Sequence, residues 1–333
     1  MSPGARDAIL ALVLVLALVL AQCGSAGTVV AADQPLTTAL SLGYDSNPAQ
    51  RQDGPELGFA QVAMGLRYAL LQGWSLGGDL WLRDAAGAND SGRLDWDVAW
   101  LGRLGRSQLN VWGTGGWYRD QLVPADERNE TALGVLLTRA LTARLDTSLL
   151  GERRWFAYRH RVLPWVGRPS GLSPKKGSAG MPGPHGPGAG GPGNQGDSFS
   201  ARRRADRLDA LALDTTWLVS ARLSLTVGLD QGWRHSSIPL DAYHQTGARL
   251  ILSFDPSDRF SLSAEVGSAR LDYQHAPRQL ERLDRPRWLG LELWHWRDPG
   301  AWFCGLEWLD SRSTLDAEAF TQWVGHCGYQ HDF

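Results

Sequence analysis

The chain has 333 residues, with 33 Lys and Arg against 35 Asp and Glu, so its formal net charge at pH 7 is only −2. This balance lacks the basic surplus of nucleic-acid-binding proteins, and we expect no nucleic-acid partner. After the first 21 residues there is no run of 18 apolar residues, which argues against membrane-spanning helices. Sixteen tryptophans are nonetheless far more than a water-soluble protein of this length normally carries.

The amino-terminal residues predict a secretory signal peptide over 1–32. Arg6 precedes an apolar run from Ile9 to Ala21, and small residues then lead to a cleavage site after Ala32. The remaining residues, 33–333, would form one exported domain. The alternatives for this segment are cleavage after Ala26 and lipidation at Cys23.

From residue 36 onward, apolar and polar residues alternate nearly everywhere. The clearest stretch runs from Arg93 to Trp100, where Leu, Trp, Val and Trp alternate with Arg, Asp, Asp and Ala. A repeat of two residues predicts strands with one apolar and one polar face. Similar stretches begin near Leu40, Trp74, Leu223 and Phe260.

Short and long connections alternate strictly between these strands. The short ones lie at 72–73, 105–107, 142–144, 220–222, 255–258 and 298–300. The long ones lie at 46–55, 84–92, 119–130, 159–204, 235–243, 272–286 and 312–317. This count gives fourteen strands, with both chain ends on the short-turn side.

These features together predict an all-β, transmembrane, antiparallel up-and-down β-barrel of about 14 strands. Such barrels turn apolar side chains outward, have short periplasmic turns and long extracellular loops, and carry aromatic girdles. A water-soluble sandwich would not show the alternation of loop lengths, and a helical fold contradicts the period of two. We therefore expect the protein in the outer membrane of a Gram-negative bacterium.

The last residues support this localisation. Tyr329 and Phe333 lie on alternate positions at the carboxyl terminus, and this pattern resembles the signal that the outer-membrane barrel assembly machinery reads. His331 departs from it, because that position usually holds Tyr or another apolar residue. The resemblance implies the assembly machinery as a partner.

Eleven charged residues occupy the predicted inward positions of the strands. One interpretation is a hydrated lumen whose charges neutralise one another, and the other is a constriction whose acidic and basic ladders orient a solute. No ring of one sign stands out, so ion selectivity stays open. The residues are Asp79, Arg83, Arg93, Asp95, Asp97, Arg103, Asp230, Arg249, Glu265, Glu292 and Glu307.

The connection 159–204 is rich in Gly and Pro, which predicts a flexible external loop; folding inward as a plug is the alternative. Arginines flank it on both sides. Planar guanidinium groups bind phosphate bidentately, so we expect contact with lipopolysaccharide, while a specific site for an anionic polymer is the alternative. The arginines are Arg153, Arg154, Arg202, Arg203 and Arg204.

Cys304 and Cys327 fall on the last two strands and on the outward face. Counting residues from a turn near Leu315-Asp316 makes them direct cross-strand neighbours. The sequence leaves open whether they form a disulfide or stay as two thiols. His326 points to the other face, so we predict no metal site and no cofactor.

One pair of residues resembles a catalytic motif. His235 and Ser237 are similar to the His-x-Ser pair of outer-membrane phospholipases and lipid A deacylases, in which His activates Ser as a nucleophile. The flanking residues do not match, and no orienting Asn or Glu is recognisable. We therefore expect no enzyme activity and keep a lipid-modifying hydrolase as the lesser alternative.

The stretch SLGYDSNPAQ, from Ser41 to Gln50, resembles the start of two groups of barrels. One is the surface lipoprotein assembly modifier family, whose barrel has fourteen strands; the other accompanies exopolysaccharide export systems. The resemblance implies a pore or translocation barrel for a polar solute, a polysaccharide or a surface-exposed protein, working with a periplasmic export partner. The chain departs from the first group because strands begin directly after the signal peptide. A structural or adhesive barrel with a blocked lumen is the alternative.

Overall fold

A computed structural model describes residues 36–52, 54, 56–87, 89–162, 203–274 and 281–333. The predicted signal peptide, most of the connection 159–204, and Arg202 lie outside these residues. In the part of the chain that is described, no helix is long and apolar enough to cross a membrane.

Fourteen strands make up almost all of the described structure, as the alternating sequence predicts. They are β1 (Leu36–Asp45), β2 (Leu57–Ala69), β3 (Trp74–Ala85), β4 (Ser91–Leu104), β5 (Ser107–Asp120), β6 (Arg128–Thr142), β7 (Leu145–Val162), β8 (Arg203–Ser220), β9 (Leu223–Ser236), β10 (Tyr243–Ser257), β11 (Phe260–Tyr273), β12 (Leu283–Arg297), β13 (Gly300–Ser313) and β14 (Phe320–Asp332). Short 3₁₀ turns lie at Leu71–Gly73, Pro124–Asp126, Pro239–Asp241 and Asp316–Glu318.

The strands form one closed antiparallel barrel. Each strand pairs with its neighbours in sequence, and β1 closes the ring by pairing with β14 from Thr37–Asp332 to Asp45–Val324. Closure satisfies the backbone groups that an open sheet edge would leave unpaired, which is essential in lipid. The predicted all-β barrel of fourteen strands is confirmed.

The connections at the two ends of the barrel differ, as expected. Six tight turns join β2–β3, β4–β5, β6–β7, β8–β9, β10–β11 and β12–β13, and both ends of the described chain lie on this side. At the first turn Gln72 and Gly73 have positive φ angles of 60° and 82°. A side chain at Gly73 would meet the Leu101 carbonyl oxygen of the neighbouring strand β4, so this position requires glycine.

The outer face carries the large apolar side chains. Leu42, Leu133 and Leu229 are 66%, 60% and 55% exposed, and they belong to a belt of exposed Leu, Val and Trp around the ring. Trp74 and Trp302 lie near the tight turns, whereas Tyr44, Trp117 and Trp308 lie nearer the long loops. Water is a poor solvent for such a surface, so the belt fits the apolar core of a bilayer with aromatic girdles at its edges.

The inner face encloses a wide space. Fourteen strands about 4.8 Å apart and tilted by about 40° give a ring roughly 28 Å across between backbones. Among the described residues no large side chain is fully buried, so their side chains do not pack into a central core. The inward residues of the described strands therefore line a lumen.

Candidate pore lumen and its rim

All eleven predicted lumen residues lie on the face opposite the apolar belt. Directly paired residues project to the same side of a sheet, and the pairs Asp79–Asp95, Asp230–Gly247 and Arg249–Gly228 show this shared face. Arg103 lies at the tight-turn end of β4, whereas Arg93 lies near the long-loop end of the same strand. Their partners divide the lumen wall into two parts.

On the first part, which we call the paired wall, guanidinium groups neutralise carboxylates. Arg67 binds Asp79 at 2.6 Å and approaches Asp97 to 3.6 Å. Two further ion pairs continue the wall: Arg93 Nε with Asp95, and Arg249 Nη2 with both oxygens of Asp214 at 2.7 and 2.8 Å. These short contacts hold long side chains flat against the wall and cancel their charges locally.

On the second part, the acidic wall, Glu265, Glu292 and Glu307 have no ion pair with any described residue. They project from β11, β12 and β13. Glu265 accepts a hydrogen bond of 2.7 Å from the indole Nε1 of Trp288, and Glu292 and Glu307 are exposed. The three carboxylates line one cavity of about 470 Å³ together with Trp288 and Gln322. This wall presents to the lumen negative charge that no ion pair with a described residue neutralises, although the guanidinium of Arg83 is near enough to attract Glu307 electrostatically.

Asp230 on β9 adds to that charge. Its carboxylate accepts a hydrogen bond of 3.1 Å from Gln245 but makes no ion pair within the described strands. Of the predicted basic residues, Arg83 on β3 lies 3.9 Å from its nearest carboxylate, Asp45, and Arg103 has no ion pair with any described residue. The lumen as described therefore carries more acid than base.

The long-loop end of the lumen contains a feature that the sequence reasoning missed. Four strands that follow long connections have Arg-x-Asp or Arg-x-Glu at or directly before their first residues, and in each case the arginine bonds the acid two residues later. We call these rim pairs: Arg93/Asp95, Arg128/Glu130, Arg204/Asp206 and Arg282/Asp284. Residues two apart on a strand share a face, so the spacing itself was a usable signal.

The most buried rim pair joins two strands and a loop. The Asp206 side chain is fully buried and binds Arg204 at 2.6 Å, Arg234 at 2.8 Å and the Ser236 hydroxyl at 2.6 Å. Arg204 also binds Asp241 in the 3₁₀ turn before β10 at 2.6 Å. Because two guanidiniums and a hydroxyl surround one carboxylate, this cluster ties the loop to the rim.

Aromatic rings complete these clusters. The guanidinium of Arg204 lies 4.6 Å from the ring centre of Tyr158, and that of Arg282 lies 4.2 Å from Tyr273. Arg282 also binds Glu318 in the 3₁₀ turn before β14 at 2.9 Å. Cation–π contacts of this kind favour desolvated guanidinium groups. The guanidinium groups of Arg204 and Arg282 are therefore each held between carboxylates and an aromatic ring.

The structure separates the arginines predicted to contact lipopolysaccharide. Arg153 and Arg203 lie on the outward face, and Arg153 binds Asp209. Arg154 and Arg204 face the lumen: Arg154 binds Glu152 at 2.9 Å, and Arg204 is only 4% exposed. Neither of these two can reach a lipid headgroup, because adjacent residues of a strand point to opposite faces.

Cys304 and Cys327 are direct partners in the β13–β14 ladder, on the outward face. Their Sγ atoms form a disulfide, and their Cα atoms are 4.1 Å apart. Tyr329 lies on the same face and packs against Trp302 at 5.1 Å, while Phe333 is 60% exposed and its N–H donates to the Leu36 carbonyl. That the barrel assembly machinery recognises Tyr329 and Phe333 stays a prediction.

The described structure does not assemble His235 and Ser237 into a catalytic pair. The Ser237 hydroxyl accepts the Ala205 N–H at 2.9 Å, and His235 Nε2 lies 3.7 Å from Asp209 on the outer face. No hydrogen bond joins the two side chains. Within the described strands and loops, no group of three or more His, Cys, Asp and Glu could hold a metal ion.

No protein-family model and no curated protein matches the amino-acid sequence. Solved structures of similar shape include OmpT, an outer membrane protein of Vibrio cholerae (TM-score 0.47, 8% identity, 90% of this chain and 96% of that chain). Another is an anion-selective porin from Comamonas acidovorans (TM-score 0.46, 10% identity, 90% of this chain and 98% of that chain). A third is the toluene transporter TodX of Pseudomonas putida (TM-score 0.45, 11% identity, 91% of this chain and 90% of that chain).

At these identities and TM-scores, the likenesses carry no solute, ion preference or activity over to this chain. None of them shows the surface lipoprotein assembly modifier family or the export-associated barrels, so that resemblance stays a prediction.

Proposed function

We propose that this protein is a non-enzymatic pore of the outer membrane through which small polar solutes diffuse, with a preference for cations. The observation that supports it most is the polar inner face: charged side chains line the described lumen around a wide ring, with no packed core among them. A barrel of this strand number falls below the 16–18 strands of porins with wide channels but well above the eight strands that side chains alone fill.

The preference for cations follows from the two walls. Charges on the paired wall cancel within 3 Å or so of each other, and they contribute little field in the lumen. Glu265, Glu292, Glu307 and Asp230 are not cancelled by an ion pair with any described residue. Acidic groups facing a pore attract cations and repel anions, and the effect weakens with salt.

Recording of single channels in a planar bilayer tests this proposal. We expect step-like conductance from the purified full chain. In a salt gradient, we expect the sign of the reversal potential to be that of a channel more permeable to cations than to anions. If neither the full chain nor a variant lacking residues 170–198 gave steps, the pore would be excluded and the structural or adhesive barrel would replace it. Passage of a larger cargo, a polysaccharide or surface-exposed protein, would in addition require a periplasmic partner.

The lesser alternative, a lipid hydrolase, has a separate test. The Ser237 hydroxyl accepts the Ala205 N–H, and among the described residues no basic side chain forms a hydrogen bond with it. We expect Ser237→Ala to release fatty acid from labelled outer-membrane lipid at the same background rate as the unchanged protein. A loss of measurable deacylation in that variant would restore the hydrolase.

A further inference from the structure

A row of three arginines crosses the outer wall near the long-loop end. Arg285 on β12 is the direct partner of Arg312 on β13. On the other side, the pairs Ser268–Arg287 and Leu271–Asp284 fix the register so that Arg270 on β11 lies opposite Arg285. Adjacent strands are about 4.8 Å apart, so three like charges lie within roughly 10 Å. Like charges directly opposite each other destabilise a sheet unless an anion lies between them.

Carboxylates of the protein compensate only the two ends of this row. Arg270 binds Asp272 at 3.0 Å and Arg312 binds Asp310 at 3.0 Å, each two residues along its own strand. Arg285 and Arg287 are two residues apart on β12 and project from the same face. Both are exposed, and neither has a carboxylate of a described residue within ion-pair distance. The cluster of Arg270, Arg285, Arg287 and Arg312, which we call the arginine row, therefore carries a net positive charge.

The arginine row begins where the apolar belt ends. Val266, Leu289 and Trp308 are neighbours in register on β11, β12 and β13, and they form the last apolar level of this wall. The next level outward holds Ser268, Arg287 and Asp310, and the level after it is the arginine row. The change from apolar to cationic occurs along one line across three strands. An occupant of this surface must combine hydrocarbon with an anionic head.

The wall also has a recess at this line. Pro286 lies between Arg285 and Arg287 and has no N–H to donate to the neighbouring strand. The β11–β12 ladder is accordingly interrupted here, and Ala269 and Arg270 have no paired residue on β12. The resulting cleft has a volume of about 340 Å³ and is bordered by Arg270, Arg285 and Arg287, with Ser268 and Thr246 at its sides. Guanidinium and hydroxyl groups around a shallow cleft suit the oxygens of a phosphate group.

We propose that the arginine row binds the phosphate groups of a phosphorylated glycolipid of the outer leaflet, lipid A, whose acyl chains cover the apolar level below. This site is distinct from the lumen and goes beyond the proposed pore. It lies on β11–β13, whereas Arg154 and Arg204 beside the connection 159–204 face inward. Arg285 and Arg287 supply the unpaired guanidiniums, and Arg270 and Arg312 extend the positive surface.

Binding of bisphosphorylated lipid A to the detergent-purified full chain, counted by native mass spectrometry, tests the proposal. We expect Arg285→Gln with Arg287→Gln to weaken binding at least tenfold. The matched control is Arg144→Gln with Arg222→Gln, which removes two exposed arginines from the tight-turn end and should change binding by less than twofold. Fully dephosphorylated lipid A should bind the unchanged protein as weakly as the bisphosphorylated lipid binds the double variant.

Three results would overturn the proposal: equal binding by the double variant, equal loss in the control, or displacement of the lipid by inorganic phosphate at the same concentration. The last result would assign the arginines to a free anion. Heat-modifiable electrophoresis checks that each variant has folded. Should the double variant not fold, Arg287→Gln alone is measured; a loss of about threefold supports the site, and unchanged binding contradicts it.

Discussion

The paired wall and the acidic wall are built from the same alternating strands, yet they use their carboxylates differently. On the paired wall and in the rim pairs, each acid has a guanidinium within 3.6 Å, so its charge is neutralised by a contact that holds the wall together. On the acidic wall, Glu265, Glu292 and Glu307 face the lumen without such a partner among the described residues. One region fixes the shape of the lumen, and the other gives it an electrical sign.

The largest expected effect comes from breaking a rim pair. Asp206→Asn removes the charge that compensates Arg204 and Arg234, both of which lie in a desolvated cluster. Removing one partner of a buried ion pair costs about 3–5 kcal/mol, so we expect a clear fall in the free energy of unfolding. Denaturant unfolding in detergent measures it.

Glu292→Gln is the matched control on the acidic wall. The Glu292 carboxylate has no ion pair with a described residue, so we expect this substitution to change the free energy of unfolding little. Equal destabilisation by the two variants would contradict the division into a structural and an electrical region.

The second effect is on selectivity. Replacing Glu265, Glu292 and Glu307 together by Gln removes the surplus negative charge and should lower the ratio of cation to anion permeability. From Coulomb's law across about 10 Å of water, with salt screening, three charges change the partitioning of cations and anions in opposite directions, so we expect the ratio to fall roughly twentyfold at about 10 mM salt and about fivefold at 100 mM. Reversal potentials in a salt gradient measure the ratio. A ratio that stays constant would show that these carboxylates do not set the sign.

A third substitution removes one ion pair from the paired wall, so that one of its carboxylates resembles those of the acidic wall. Arg249→Gln releases Asp214 from its two bonds of 2.7 and 2.8 Å and leaves its carboxylate uncompensated on the paired wall. We expect the preference for cations to increase, by less than the triple variant decreases it, because one charge changes instead of three. The same reversal potential reports it, and a shift toward anions would contradict the proposed cancellation.

The smallest expected effect concerns Trp288. Trp288→Phe keeps an aromatic ring but removes the N–H that donates to Glu265, so the carboxylate gains freedom without changing its charge. We expect a shift in reversal potential well below that of the triple variant. A shift as large as that of the triple variant would mean that hydrogen bonding, and not charge, controls the acidic wall.

The alternation of side chains was sufficient to predict the barrel, the strand number and the inward face of residues such as Asp79 and Glu307. It also predicted that Cys304 and Cys327 are neighbours, because the register of one hairpin follows from its turn. It failed where residues were grouped by closeness to a loop: Arg153 and Arg154 are adjacent in sequence, yet they face lipid and lumen respectively.

Other features needed the register across several strands. Arg-x-Asp at Arg204 and Asp206 is visible in the sequence, but the contribution of Arg234 and Asp241 is not, since these residues lie on another strand and in another loop. The alignment of Arg270, Arg285 and Arg312 was hidden for the same reason. Each lies on a different strand, and only the ladder brings them into one row.

The rim pairs have an evolutionary consequence. In each of the four, an arginine two residues before the acid binds it, and this arginine lies on the same strand or, for Arg282, directly before it. A duplicated hairpin would therefore bring its own counter-ion with it, and a deleted one would take both charges away. A barrel built from such hairpins can therefore gain or lose two strands without leaving a buried charge unpaired. The number of strands in such a barrel can then change in evolution at little electrostatic cost.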